Sequence, residues 1–357
     1  MLRRSFVLAV AWCAALLPFG LAVAGDGVNL SGPIVHANLA VYLVHGANAE
    51  GAVPISLQEA LAGGQVKVLE TGSVNELTVE NVGDNEVFVQ AGDIVKGGQQ
   101  DRVLSLDLLL PPHSGKVSLA AFCVEAGRWT ARGAEDAKEF SAAMASMPSP
   151  EANRAMRLYA MSAPSALPVA QLSPVLSSAN LGAAAMAERQ AQIWANVQKT
   201  QDRLSHSLGA AVAAPASPSS LELSLENDRL KAVQAEYTGA LQNAGETGDD
   251  VVGYVFAVNG KIVGGDSYRS NALFRKMWPK LLTAAVTEAI AEKDAPGAAA
   301  PSLAAVHDFL AAAERAPQSV RKLNASVSLA TRDGDGALYA ETQRGDGAWV
   351  HRNYLAK

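Results

Sequence analysis

Between Gly92 and Trp129 the chain reads GDIVKGGQQDRVLSLDLLLPP and then, past a short turn, KVSLAAFCVEAGRW. Lys96, Gln99, Gln100, Asp101, Arg102, Glu125 and Arg128 are set directly beside apolar runs that read as core strands. A buried group of this kind costs several kcal/mol unless a partner satisfies it. The fold must therefore knit these side chains into an internal polar network or gather them at a binding site.

The surrounding pattern sets the fold class. From Asn29 to Trp129, short apolar runs such as LAVYLVHG, ELTVEN and EVFVQAGD are punctuated by Gly, Asn, Asp and Pro, the signature of strands in a sandwich or barrel. Ser56 to Gly64, SLQEALAGG, is the exception and predicts a helix capped by Ser56 and closed by Gly63 or Gly64. From about Ala131 to Gln242 the texture turns helical, and Leu181, Ala185, Ile193, Val197 and Leu204 form one stripe of a long helix that packs on the fold or docks a partner. The Ala/Pro/Ser segments Gly209 to Ser220 and Asp294 to Ser302 read as connectors. Strands return after Gly248 as two runs about Asn259-Gly260, a hairpin signal because both residues tolerate positive φ. A helix follows from Ser270, with Pro279 a potential kink, and the end reads as three strands joined by Asp-Gly turns. The expectation is an α+β protein with a mainly antiparallel sheet, sandwich or barrel-like, on which several helices from the central segment pack. Residues 25–357 form one domain in this reading: a β-rich part (25–130), a helical part (131–247) and a C-terminal part (248–357) that completes the sheet.

Met1 to Ala24 carries Arg3 and Arg4, an apolar run and the small-residue series Ala22, Val23, Ala24, which reads as a signal peptide cleaved near Ala24. The expected destination is the periplasm or the exterior. Without Arg3 and Arg4, 27 basic residues face 35 acidic ones, a balance of −8 that disfavours nucleic acid as a partner. No other run reaches membrane-spanning length. Cys123 is then the sole cysteine, so no intramolecular disulfide forms, and its apolar surroundings suit a buried thiol. Pairing it with His113 as a nucleophile and base conflicts with a strand buried on both faces.

Several motifs dissolve on inspection. Asp333, Asp335 and Glu341 suggest a calcium loop, but the glycine falls at 336, two places early, and a hairpin turn explains them better. Arg344-Gly345-Asp346 sits in another turn signal. His36, His45, His113, His206, His307 and His351 are scattered singly, so no metal site is expected, and no phosphate-binding loop or nucleophile elbow points to a cofactor.

Together ELTVEN, VFVQAGDIVKGGQQDRVL, FCVEAGRW and GYVFAVNGKIVGGDSY with LFRKMWPKLL resemble the ARPP domain, named for its association with ADP-ribosylglycohydrolase and rhodanese-phosphatase superfamily proteins. The resemblance spans most of the mature chain. It implies a link to NAD or ADP-ribose metabolism by association, with no established reaction to carry over. Beside it stands a chemical reading. Arg102 and Arg128 are suited to clamp a phosphate or carboxylate, with Lys96 and Gln99 as further polar contacts. Glu125 would accept ribose hydroxyls or act as a base, and Trp129 offers a stacking face. The leading expectation is a domain that binds or processes a nucleotide-like small molecule. Its rivals are a hydrolase using Glu125 or Asp101 as general base, and a non-catalytic envelope protein that binds a protein partner through its helical middle. The competing structural reading pairs Arg102 with Glu125 across adjacent strands and buries Trp129 in the core. A second cluster, Asn259, Lys261, Asp266, Tyr268, Trp278 and Lys280, either completes the same pocket or is a hairpin packed on a helix with Lys280 in solvent.

Overall fold

The structure is a computed structural model that describes residues 29–162, 182–293, 298–324 and 326–357, with side chains omitted at 162 and 182–185. The candidate leader, residues 1–24, and Leu181 of the predicted stripe lie outside the described residues, as does the side chain of Ala185. The fold is α+β, built on antiparallel sheets, the largest of them curled.

LAVYLVHG becomes β2 (Leu39–His45), with β1 (Asn29–His36) on one side. Its other neighbour comes from the far end of the chain: β12 (Val251–Val258), with Leu43 opposite Tyr254. The sheet continues through β13 (Lys261–Tyr268), β17 (Trp349–Ala356), β16 (Ala337–Arg344), β15 (Val327–Asp333) and β14 (Gln318–Lys322), giving eight antiparallel strands. Alternation divides β2 between two cores. Leu39, Val41 and Leu43 join the main core, while Ala40, Tyr42 and Val44 meet Val306, Leu310 and Ala313 of a C-terminal helix on the opposite face. That dual burial explains why the strand reads as a continuous apolar run.

A second, six-stranded sheet holds β11 (Phe140–Ser146), β7 (Asp93–Gly97), β8 (Arg102–Leu104), β10 (Gly115–Cys123), β5 (Glu76–Asn81) and β4 (Val66–Ser73) in that order. A small third sheet joins β3 (Ile55–Ser56), β6 (Val87–Val89) and β9 (Leu108–Leu110). The described helices are α1 (Leu57–Ala62), α2 (Pro150–Ser162), α3 (Gly182–Leu208), α4 (Leu221–Leu225), α5 (Asp228–Leu241), α6 (Asn271–Ala291) and α7 (Leu303–Arg315).

Local signals act where they were read. Ser56 and Glu59 form a reciprocal capping box on α1, and Gly63 closes it. Asn259 (φ 50°) and Gly260 (φ 76°) make the two-residue turn between β12 and β13. Helix α6 begins at Ser270, whose hydroxyl accepts from the Leu273 amide, and runs on through the exposed Pro279. On α3, Ile193, Val197 and Leu204 are buried, so the described part of the stripe is a packing face. None of the described helices is long and apolar enough to cross a membrane.

Candidate functional site

The Gly92–Trp129 charges close on one another. After β7 the chain turns tightly through Gly97 (φ 119°) and Gly98 (φ 55°), and a Cβ on Gly98 would lie 2.3 Å from the Phe140 ring, so only glycine fits. The turn delivers Asp101 to a fully buried position, and the end of β10 delivers Glu125 beside it. Asp101 accepts from Arg132 Nη1 at 3.0 Å, Ser220 Oγ at 2.9 Å and the Gly97 amide at 3.1 Å. Glu125 meets Arg128 Nε at 2.7 Å, Arg132 Nη1 at 3.2 Å, the Asp101 amide at 3.2 Å and the Ser217 hydroxyl in a short contact. Burial alone would lower the pKa of Arg132, but Asp101, Glu135 and Glu125 outweigh it and hold the guanidinium above its ordinary value.

Two details depart from the sequence reading. Arg102 does not face Glu125: fully buried, it bonds the Gln100 carbonyl at 2.7 Å and reaches Glu70 at 3.4 Å, because Cys123, not Glu125, is its cross-strand partner. Trp129 does not plug the core. It is 43% exposed and lies over the Arg102 guanidinium at 5.7 Å. Lys96 pairs with Glu226 at 2.5 Å, and the Gln99 amide reaches Glu70 at 3.3 Å.

The Ala/Pro/Ser segment 209–220 is a working part of this network rather than a plain connector. Ser217 and Ser220 bind the two carboxylates, and Ser219 caps the Ala126 carbonyl at 2.6 Å. Sequence reasoning missed Arg132 and these serines because a hydroxyl-rich loop looks alike whether it is solvated or docked. Alongside, on α4, Glu222 is buried with one carboxylate oxygen unpaired; burial first, then Glu226 and Asp101, push its pKa up to about 8.

Cys123 is fully buried, its backbone amide and carbonyl bonded by the Gln190 side chain at 3.0 and 2.9 Å, and burial pushes its thiol up to about 12. His113 is exposed, bonded to Asp84, and precedes the start of β10, which Cys123 ends. Nine residues of strand separate the two by roughly 30 Å, beyond any proton transfer.

The second cluster splits. Asn259 and Lys261 belong to the hairpin turn, and Trp278 is core, its Nε1–H donating to the Gln242 carbonyl at 2.7 Å. Asp266, Tyr268 and Lys280 turn inward. Lys280 is buried rather than solvated, because it shares the core-facing side of α6 with Met277 and Leu281, and there it ion-pairs with buried Asp93 in a short contact. The centre of this interior group is His351, which sequence reasoning passed over as a scattered histidine. Its Nδ1 meets Asp107 at 2.7 Å and its Nε2 meets Asp266 at 3.0 Å, while Tyr268 stacks on the ring at 4.7 Å. Burial alone would lower its pKa, but the two carboxylates push it up to about 9. Asp107 is the converse: burial would raise it, yet His351 and Arg157 hold it well below the usual carboxylate range. With both imidazole nitrogens committed, His351 acts as a buried cation rather than as a free base.

Nucleotide-scale space lies elsewhere, on either side of the segment that leaves β2. That segment is pinned by Gly46 to the Asp250 carbonyl, by Ala49 to the Arg269 carbonyl and by Asn48 to the Asn271 amide. One flanking hollow, about 500 Å³, is lined by His45, Ser267, Arg269, Trp349 and Arg352. The other, about 650 Å³, is lined by Glu86, Arg269, Ser270, Arg344 and Trp349. Arg344 is committed to Glu86 through two bonds of 2.6 Å, and Arg352 holds Glu341 at 2.7 Å while lying 4.4 Å from the Trp349 ring. Arg269 is exposed and its side chain makes no ion pair or hydrogen bond among the described residues. None of Lys96, Gln99, Arg102, Glu125, Arg128 and Trp129 lines either hollow.

One family model matches the chain, that of the ARG and Rhodanese-Phosphatase-superfamily-associated Protein domain, ARPP-1, over residues 27–355. No curated protein and no solved structure matches it.

Proposed function

The chain belongs to the ARPP-1 family, and from that premise we propose that it is an exported binding domain for a small anionic ligand of the ADP-ribose or nucleotide-sugar type. The ligand lies in the paired hollows beside residues 46–54, with a phosphate against Arg269 and a planar ring against Trp349. The observation that carries this reading is Arg269: a guanidinium without an acid partner among the described residues, in the wall common to two hollows of about 500 and 650 Å³. Ligand pockets run from roughly 300 to 1,000 Å³, and a free planar fork is the group best matched to phosphate oxygens. The chemistry expected of Arg102, Arg128 and Trp129 is thus offered by Arg269 and Trp349, where the cation is not already spent on a carboxylate. The leader-like residues 1–24 support export.

Isothermal titration of ADP-ribose, UDP-glucose, AMP and the neutral nucleoside adenosine into the mature protein tests the reading. At least one phosphorylated compound binds, adenosine binds more weakly, and Arg269→Ala lowers the affinity at least tenfold, about 1.4 kcal/mol, without changing the melting temperature. No binding across the panel, or binding indifferent to both Arg269→Ala and Trp349→Ala, overturns it.

A further inference from the structure

A smaller, partly open hollow lies between the inner face of β12, β13 and β17, the helices α2 and α6, and the turn that links β6 to β7. Its volume is about 80 Å³, and its polar wall is formed by Gln90, Ser105, Asn153, Arg157, Asp266 and Asn353. Arg157, from α2, is 4% exposed. Its Nη2 donates to Asn353 Oδ1 at 3.1 Å, and its buried Nη1 has no acceptor among the described residues. A buried guanidinium whose one hydrogen bond among those residues goes to a neutral amide is uncommon, since each unsatisfied charged donor costs more than an ordinary hydrogen bond returns.

The nearby acids do not meet that need, because neither Asp107 nor Asp266 hydrogen-bonds the guanidinium. Asp107 accepts from the Ala91 amide at 2.8 Å, the Thr342 hydroxyl at 2.6 Å and His351 at 2.7 Å. Asp266 accepts from His351 at 3.0 Å and from Asn353 at 2.9 Å. Lys280 is bound to Asp93, and the Tyr268 hydroxyl to Gln90 at 2.8 Å. The remaining wall is apolar, with Met156, Phe256, Val263 and Leu281 among its members. An occupant must therefore bring an acceptor for Arg157 and a small hydrocarbon body for the rest.

Size narrows the class. A cavity of roughly 150 Å³ accommodates benzene, with its six carbons, so about 80 Å³ holds something nearer three or four non-hydrogen atoms. We propose that this hollow is a binding site for a carboxylate of one or two carbons, its carboxylate oxygen on Arg157 Nη1 and, for acetate, its methyl end against Met156 and Leu281. Tyr254 and Asp266 also reach the wall of one hollow beside Arg269, but Arg157, Met156, Leu281 and Ala284, on which this site and its test rest, line neither of those hollows, so it stands or falls independently of the ligand assigned there.

The test is calorimetric titration, in a carboxylate-free buffer, of formate, acetate and inorganic phosphate, with acetamide as the neutral counterpart of acetate. Formate or acetate gives a saturable isotherm, acetamide binds at least tenfold more weakly than acetate, and Arg157→Met abolishes the response. Because Arg157→Met removes a buried charge and risks misfolding, Ala284→Leu, which fills the hollow from α6 without touching its charges, is run in parallel and also abolishes binding. Three results overturn the proposal: no saturable heat with any carboxylate, as a hollow that takes only water would give; acetamide binding as tightly as acetate; or phosphate binding while both carboxylates fail.

Discussion

Replacing His351 with glutamine separates charge from hydrogen bonding at the centre of the molecule. The imidazole is 1% exposed and bridges two buried carboxylates. Those carboxylates, outweighing the burial that would lower it, push its pKa from 6.5 up to about 9. At about 1.4 kcal/mol per pH unit, the gap is worth about 3 kcal/mol. A base that holds its proton more tightly when folded contributes fully below its unfolded pKa, and the contribution drains away as pH rises to the folded value. For His351 that window runs from 6.5 to about 9. Glutamine keeps donor and acceptor groups but carries no titrating proton. The destabilisation caused by His351→Gln is therefore greatest near pH 6 and shrinks by about 3 kcal/mol by pH 9.5, leaving about 1–3 kcal/mol from imperfect hydrogen bonds to Asp107 and Asp266. Urea unfolding of both proteins at those pH values, followed by tryptophan fluorescence, gives the difference directly, and taking the difference cancels other titrating groups such as Glu222. A cost that is the same at both pH values would refute the assignment of His351 as a buried cation.

Glu222 has the opposite linkage. With its pKa pushed up to about 8, chiefly by burial, its ionisation opposes folding increasingly as pH climbs from 4.5 to 8. Glu222→Gln is thus near neutral at pH 5 and stabilises at pH 8 by an amount on the order of 3 kcal/mol; melting temperatures that show the reverse ordering refute it. At Cys123, a thiol buried and pushed up to about 12 should react with a disulfide reagent only as fast as the protein opens. Labelling at the rate of an unfolded peptide in the absence of denaturant contradicts that.

What the sequence made legible was local. The Ser56–Glu59 capping box, the Asn259-Gly260 turn and the closing meander depend on residues a few positions apart, and each appears where its pattern placed it. Partner choice among buried charges was not legible, because it is decided by strands and helices far apart in the chain. Arg102 goes to Glu70, Lys280 to Asp93 and His351 to Asp107, and no spacing rule connects any of these pairs. One faint signal existed. His351 and Asn353 stand two apart on the last strand and so share a face, while Asp107 interrupts the apolar run SLDLLL. A lone acid in the short link between two core strands and a buried histidine on another strand were the two ends of one interaction.

The seam between β2 and β12, where Leu43 lies opposite Tyr254, bears on how the polypeptide reaches its finished state. Until the ribosome has supplied Val251–Val258, one edge of β2 has no neighbour, and the hydrocarbon of LAVYLVHG has nothing to cover it. Closing so long a loop makes sheet completion a late and slow event. Through most of synthesis the growing chain therefore presents that apolar run uncovered, a condition in which wrong contacts compete with the right one.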